Sequence, residues 1–376
     1  MGQRDLYIDR LRSVMTALVI LHHTAITYGA PGGWFWTELK PSGTPTGILL
    51  TLFVSTNQAY FMGFFFLLAG YFTPASLEKK GYWHFICDRF LRLGLPLLAF
   101  GLVLGPLTAA IVDWFEGRGF WPTWVWLWRH HRFINGPLWF AQALLIFSLG
   151  YCAWRAVLGA PLAGSERVAK PIPGSLWWLV SAVGVGAGAL GLRQFFPVGE
   201  NVWGLQLAYF SSYVFLFAVG IAAWRYDWLR QLSWRQGRWW VRGLALTWPA
   251  LPVGMLLIRR LGWSTNTSTG ISWASILYAL WEPLVAWGLI AGWLLLFRAR
   301  MNEATSFWGA FWGWLNRRAY AVYILHPPVL VTIALLMHGW AAPALVKLGV
   351  VGVLVCVATW LVADPFVRMP GVRRVV

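Results

Sequence analysis

Ten stretches of the chain are long and apolar enough to cross the hydrocarbon core of a bilayer, which takes about 20 residues of helix. They are residues 13–30, 49–72, 93–113, 137–157, 175–192, 203–223, 241–258, 273–297, 319–338 and 341–363. Every backbone group in lipid must be satisfied within the spanning structure, and barrel strands would be about half as long and would alternate in polarity. The sequence therefore predicts an all-α fold, a polytopic membrane protein with a bundle of ten transmembrane helices.

The composition agrees with this prediction. Charged residues make up 11% of the 376 residues and hydrophobic residues 59%, whereas soluble domains carry about a quarter charged residues. The spans leave no stretch long enough for a soluble domain. We therefore expect one integral membrane domain over residues 1–376, with no appended soluble domain.

The net charge of +17 could indicate a nucleic-acid partner, but its distribution favours a membrane topology. With a cytoplasmic N-terminus, 22 of the 30 Lys and Arg residues fall in or beside the cytoplasmic segments. The positive-inside rule then places both termini in the cytoplasm. Many of the 29 tryptophans occur in pairs near span ends, which is typical of interfacial anchors. Membrane lipids are the expected partners of this basic surface, and nucleic acid is not.

The first span carries two adjacent histidines and a nearby arginine, which are costly in lipid and therefore candidates for function. Arg12 and His23 are eleven residues apart, about three helical turns plus 20°, so both side chains share one face with His23 about 16 Å deeper. His22 points about 100° away, and helix packing is the favoured interpretation for it. A neutral imidazole at the depth of His23 could accept the proton of a hydroxyl group.

Further polar residues lie in or beside later spans. Arg89 and Arg92 are three residues apart. Their guanidinium groups either bind phosphate or anchor the helix at the cytoplasmic side of the membrane, and the spacing alone does not favour one of the two. Asn57 needs a partner inside the bundle. Glu282, beside Pro283, either pairs with a buried cation such as Arg12 or a protonated histidine, or orients His23, or it is a structural partner of a basic residue.

The stretch "RRAYAVYILHPPVL", Arg317 to Leu330, contains the last cluster. Tyr320, Tyr323 and His326 follow one another at intervals of three residues, so they can form a polar stripe on one helical face. Pro327 and Pro328 interrupt the helix directly afterwards. His326 is therefore either a second site residue or the polar support of a kink.

These clusters, in this order, resemble the acyltransferase-3 family of integral membrane acyltransferases. The matching stretches are "IDRLRSVMTALVILHH" with Arg, ten residues, then His, followed by "FFFLLAGYF", "DRFLRLGLP", "GPLWFAQALLIFS" and "YAVYILHPPVL". The resemblance covers nearly the whole chain and implies ten helices with cytoplasmic ends. The family often has Ser before the Gly of the second stretch, where this chain has Ala69.

The resemblance also implies an activity and a set of roles. The family moves an acetyl or short acyl group from cytoplasmic acyl-CoA to a hydroxyl of an extracytoplasmic acceptor, often a glycan, in a plasma membrane such as the bacterial inner membrane. His23 would be the catalytic base, Arg12 its basic partner in helix 1, and Arg89 with Arg92 the donor-binding pair. Glu282, Tyr323, His326, His22 and Asn57 are expected to support them.

No resident cofactor is expected, because acyl-CoA is a co-substrate. No metal site is expected either, since the three cysteines lack CxxC spacing. The alternative function is a transporter or flippase of a glycan or lipid intermediate, in which the same intramembrane His, Glu and Arg residues would relay protons. No internal repeat supports it, and transport gives no reason for an arginine pair at phosphate-binding spacing.

Overall fold

Helices occupy all ten predicted spans in the computed structural model, which describes residues 6–159, 168–302 and 306–375. Within these ranges there is no strand, only the isolated bridges Tyr28 to Leu39 and Val202 to Leu205. The α-helices are α1 Leu6–Thr27, α2 Pro45–Arg89, α3 Leu95–Ala99, α4 Gly105–Phe115, α5 Phe120–Arg129, α6 Trp139–Val157, α7 Ser175–Leu192, α8 Phe210–Arg225, α9 Trp228–Gln231, α10 Trp234–Arg260, α11 Trp273–Arg300, α12 Ser306–Asn316, α13 Ala319–Leu336, α14 Ala344–Arg368 and α15 Val372–Val375. The all-α polytopic fold is confirmed.

Eight helical stretches in the described part of the chain are long and apolar enough to cross a membrane. One of them, Pro45–Phe115, has 71 residues and covers two of the predicted spans. Helix α1 is not among the eight. Asp9, Arg10, Arg12 and the two histidines lower its mean hydropathy, and polar residues in a membrane helix are candidates for function.

The long stretch from α2 to α4 is not a uniform helix. Gly81 breaks α2 with a φ of 71° and a ψ of 170°, a conformation that glycine adopts without a Cβ penalty. Two π-helical turns, Phe90–Gly94 and Phe100–Leu104, then flank α3. Such turns are rare and occur often at functional sites.

The described residues divide into two compact units. The first unit comprises Met1–Asn57, Arg89–Leu145 and Glu303–Val376. In it α13 packs against α1, α4 and α14, and α1 also packs against α12 and α14. The buried residues of its main cluster come from these helices, among them Ile20, Val322 and Val355.

The second unit comprises Gln58–Asp88 and Ile146–Asn302. Helix α11 packs against α7 and α10. Helices α2 and α8 cross at Gly70 and Gly220, where an added Cβ would lie 2.2 Å from the carbonyl oxygen of Phe217 and 2.1 Å from that of Leu67. Small residues at membrane helix crossings permit this close backbone approach.

Candidate active site

His23 lies on α1 and forms a hydrogen-bonded pair with His326 of α13. The distance between His23 Nδ1 and His326 Nε2 is 3.1 Å. His326 is fully buried, whereas His23 is partly exposed. The structure thus brings His326 together with His23, and its assignment as a second site residue or as the polar support of the kink stays a prediction.

The protonation pattern of the pair follows from the backbone of α13. Pro327 has no N–H, so the carbonyl of Tyr323 lacks its usual helical donor. His326 Nδ1 takes that place and donates to Tyr323 O at 2.8 Å. A neutral His326 then keeps a lone pair on Nε2, which accepts the hydrogen bond from His23 Nδ1. His23 is left with the lone pair of its Nε2, which is the atom that a base uses.

His22 behaves differently from its neighbour. It is 5% exposed, against the partial exposure of His23, and its ring meets that of His23 edge-on at 5.4 Å. Its burial agrees with helix packing, the interpretation favoured for it from the sequence. The two histidines do not act as an equivalent pair.

Trp34, from the loop after α1, covers the histidine pair. Its ring centroid lies 4.0 Å from that of His23 and 5.9 Å from that of His326, with interplanar angles of 15° and 13°. Sequence reasoning missed this residue, because most tryptophans of a membrane protein are interfacial anchors. Its place in "APGGWFW", directly after the span that carries His23, is the only signal that singles it out.

The same loop is anchored back onto the first unit. Glu38 N donates to Thr27 O at 2.8 Å, and the Glu38 carboxylate pairs with Lys347 of α14. Both of these side chains are almost fully buried. Gly29 turns the chain at a φ of 112°, where glycine is favoured.

The rings of Tyr323 and Tyr320, which we call the tyrosine ladder, follow His326 along α13. Tyr323 lies 6.0 Å from His326 and Tyr320 lies 6.4 Å from Tyr323, measured between ring centroids. The Tyr320 hydroxyl donates to Arg92 O at 2.7 Å, and the Tyr323 hydroxyl donates to Pro137 O. The stripe expected from the spacing of these residues therefore exists and extends to the Arg92 backbone.

The two arginines of the predicted donor-binding pair lie where α2 ends and the π-helical turn Phe90–Gly94 begins. Arg89 is partly buried and Arg92 is exposed. In an α-helix, residues three positions apart lie on one face. A π-helical turn changes this angular relation, so the spacing alone does not place Arg89 and Arg92 on one face. Arg92 stays tied to α13 through its carbonyl.

Arg12 lies three turns before His23 on α1, with its side chain exposed. Its carbonyl accepts a hydrogen bond of 2.9 Å from the Thr16 hydroxyl. The buried arginine of this part of the helix is Arg10, whose guanidinium lies 6.0 Å from the Trp312 ring. Asn57 of α2 is also buried.

Glu282 belongs to the second unit, where it forms a buried ion pair with Arg193. Arg193 is fully buried and its guanidinium also faces Tyr209 and Tyr278 at 5.4 and 4.9 Å. The expectation that Glu282 pairs with Arg12 or a histidine is therefore wrong. The alternative, a structural partner for another basic residue, agrees with the geometry, since a carboxylate in this interior requires a cation.

No three His, Cys, Asp or Glu residues in the described ranges come together as a metal site would require. The chemical capacity of the first unit lies instead in the oriented histidine pair, with the tyrosine ladder on one side and the indole of Trp34 over it. This arrangement offers a base for a hydroxyl proton.

Comparison with known families agrees with this chemistry. The acyltransferase-3 family model, described as an acyltransferase domain, matches residues 5–363, a range that includes His23, Arg89, Arg92 and His326. No curated protein and no solved structure matches the chain. The match extends over nearly the whole sequence and agrees with the helical membrane architecture, so the chain belongs to the acyltransferase-3 family and is a multi-pass membrane acyltransferase.

Proposed function

We propose that the protein transfers an acetyl or other short acyl group from cytoplasmic acyl-CoA to a hydroxyl of an extracytoplasmic or membrane-bound acceptor, such as a glycan or another envelope molecule. The observation that carries this proposal is the His23–His326 pair, which leaves Nε2 of His23 with a free lone pair. An alcohol is a weak nucleophile until a base takes its proton. We assign that task to His23.

In the proposed reaction His23 Nε2 accepts the proton of the acceptor hydroxyl while the hydroxyl oxygen attacks the thioester carbonyl carbon. A new C–O bond forms, and the C–S bond to CoA then breaks. The departing sulfur takes the proton from His23, which returns to its neutral form. His326 holds the His23 ring in the reactive tautomer throughout.

The tyrosine ladder gives the donor a direction of approach. It connects the backbone of Arg92 to the histidine pair within the first unit. We place the CoA phosphates at Arg89 and Arg92, because guanidinium groups bind phosphate through charge-assisted hydrogen bonds. The slender pantetheine arm would follow Tyr320 and Tyr323 towards His23. We propose that this end, and both termini, lie in the cytoplasm, which the charge distribution of the sequence favours, and that the membrane is a plasma membrane such as the bacterial inner membrane.

The direct test is an assay of purified protein with labelled acetyl-CoA. We expect slow hydrolysis of the thioester without an acceptor and label transfer when envelope fractions are added. The fraction that becomes labelled would identify the acceptor class. A preparation that binds no acetyl-CoA and consumes none would contradict the proposal.

The donor site makes a separate prediction. The double substitution Arg89→Ala with Arg92→Ala should weaken acetyl-CoA binding by at least about tenfold, because each lost charge-assisted contact contributes about 1.5–3 kcal/mol. Isothermal titration of detergent-solubilised protein would measure it. The matched control is Arg373→Ala with Arg374→Ala, an exposed basic pair near the C-terminus. Equal affinity in both double variants would reduce Arg89 and Arg92 to topology anchors.

Substitutions of His326 that remove or keep a hydrogen-bond acceptor test its role. His326→Leu should lower kcat by about 10²-fold, since an unheld His23 ring loses its tautomer and orientation. His326→Gln, whose amide oxygen can still accept from His23 Nδ1, should recover part of that loss. Steady-state kinetics on the two variants would decide, and equal kcat values for Leu and Gln would contradict the assigned hydrogen bond.

One feature that favoured the transport alternative was Glu282 beside Pro283. The Glu282 side chain forms an ion pair with Arg193. A carboxylate held by a buried guanidinium is poorly suited to exchange protons. Chemistry at His23 remains the function that the geometry supports best.

A further inference from the structure

The indole of Trp34 lies over the histidine pair as a whole. The rings of His23 and His326 are nearly parallel, with an interplanar angle of 15° and a centroid separation of 5.2 Å. The indole is parallel to both within 15°, and both imidazole centroids lie within 6 Å of it. Cations within about 6 Å of the face of a tryptophan are attracted by the ring quadrupole.

The proposed reaction places a positive charge at this position. When His23 Nε2 accepts the hydroxyl proton, the ring becomes an imidazolium in surroundings poor in water. A buried cation normally requires a carboxylate, yet in the described part of the chain no carboxylate contacts His23. The titratable side chains that face it are His326 and His22, and the carboxylate of Glu38, in the same loop as Trp34, is paired with Lys347.

We infer that Trp34 is a positioning residue that stabilises the imidazolium form of His23 through a cation–π interaction, with the charge shared across the bond to His326. The inference rests on the proposed function and adds to it a second support for the base besides His326. In many hydrolytic triads a carboxylate both holds the histidine and stabilises its charge; here His326 provides the hydrogen bond and the indole stabilises the charge. A neutral partner also avoids burying a further charge beside the pair.

The chain holds the indole in place before any reaction begins. Trp34 packs against the apolar clusters of the first unit that include Ile20, Tyr28 and Leu50. Its loop is fixed by the hydrogen bond from Glu38 N to Thr27 O and by the Glu38–Lys347 ion pair. Stabilisation of a developing charge is most effective from groups that need no reorganisation.

Truncation of the ring gives the first test. Trp34→Leu should lower kcat between roughly threefold and thirtyfold, the range covered by cation–π strengths, while the KM for acetyl-CoA changes little. Trp34→Phe should fall between wild type and Leu. The control is Trp36→Leu in the same loop, whose indole contacts Phe115 and His338 instead. We expect the control to keep the wild-type kcat.

Fluorination separates electrostatics from packing. Site-specific incorporation of mono-, di- and trifluorotryptophan at position 34 weakens the negative ring face with little change in shape. The logarithm of kcat should fall steadily along this series, and the acid limb of the pH–rate profile should move to lower pH. A merely structural tryptophan would change neither quantity.

The outcomes distinguish the inference from the function on which it rests. If wild type transfers acyl groups, His23→Ala does not, and the fluorinated series matches wild type, the cation–π role is excluded and the acyltransferase proposal stands. A wild-type protein without acyl transfer or thioester hydrolysis would overturn both. A graded loss along the series, with the Trp36→Leu control unaffected, supports the role of Trp34.

Discussion

Replacement of His23 by alanine is expected to abolish acyl transfer, with a loss of about 10²–10⁴-fold, the usual contribution of a general base. The loss should appear in kcat, because the variant keeps the arginine pair and the tyrosine ladder and therefore the proposed donor site. Acetyl-CoA affinity should stay close to that of wild type. Single-turnover kinetics with labelled acetyl-CoA, together with equilibrium binding, would measure the two quantities separately.

A matched histidine variant shows whether the loss is specific. His84→Ala removes an exposed histidine of α2 and should leave activity unchanged. His23→Gln keeps a polar side chain of similar length but supplies no comparable base, so it should be as inactive as His23→Ala. Full activity in either His23 variant would exclude the mechanism, because the mechanism assigns the proton to Nε2 of His23.

Much of this site could be predicted from local sequence. The depth of His23 follows from its distance along α1 from Arg12, and the run Tyr320, Tyr323 and His326 marks one helical face. The tautomer of His326 also has a local cause, because Pro327 has no N–H and leaves the Tyr323 carbonyl without its helical donor. What one sequence could not provide was the meeting of α1 and α13, which joins residues 303 positions apart.

Two other features depend on tertiary structure in the same way. The contact of Trp34 with the pair arises from the path of a Gly- and Pro-rich loop, and among 29 tryptophans no local pattern distinguishes it from an anchor. The partner of Glu282 is 89 positions away, so charge in a span predicted that a partner exists but not which one. The π-helical turn after Arg89 was likewise not predicted, since such turns are rare and occur mostly as single turns inside longer α-helices.

The largest expected effect on stability is at the Arg193–Glu282 pair of the second unit. Arg193→Met leaves the Glu282 carboxylate buried without its cation, and breaking a buried pair in this way typically costs about 3–5 kcal/mol. Glu282→Met should be similarly harmful, since it strands a fully buried guanidinium. The double variant replaces both charges by apolar side chains of similar volume and should regain most of the loss. Thermal unfolding in detergent, followed by tryptophan fluorescence, would give the three shifts in Tm.

The exposed Asp113–Arg118 pair provides the comparison. Its arginine is 58% exposed, and solvent screens a surface pair of this kind, so Arg118→Met should scarcely change Tm. The acyltransferase activity of the Arg193→Met, Glu282→Met double variant then decides whether Glu282 has a structural or a chemical role. A stable, active double variant assigns the pair to the architecture of the second unit, whereas a stable but inactive one would return Glu282 to the chemistry and contradict the structural role that its geometry indicates.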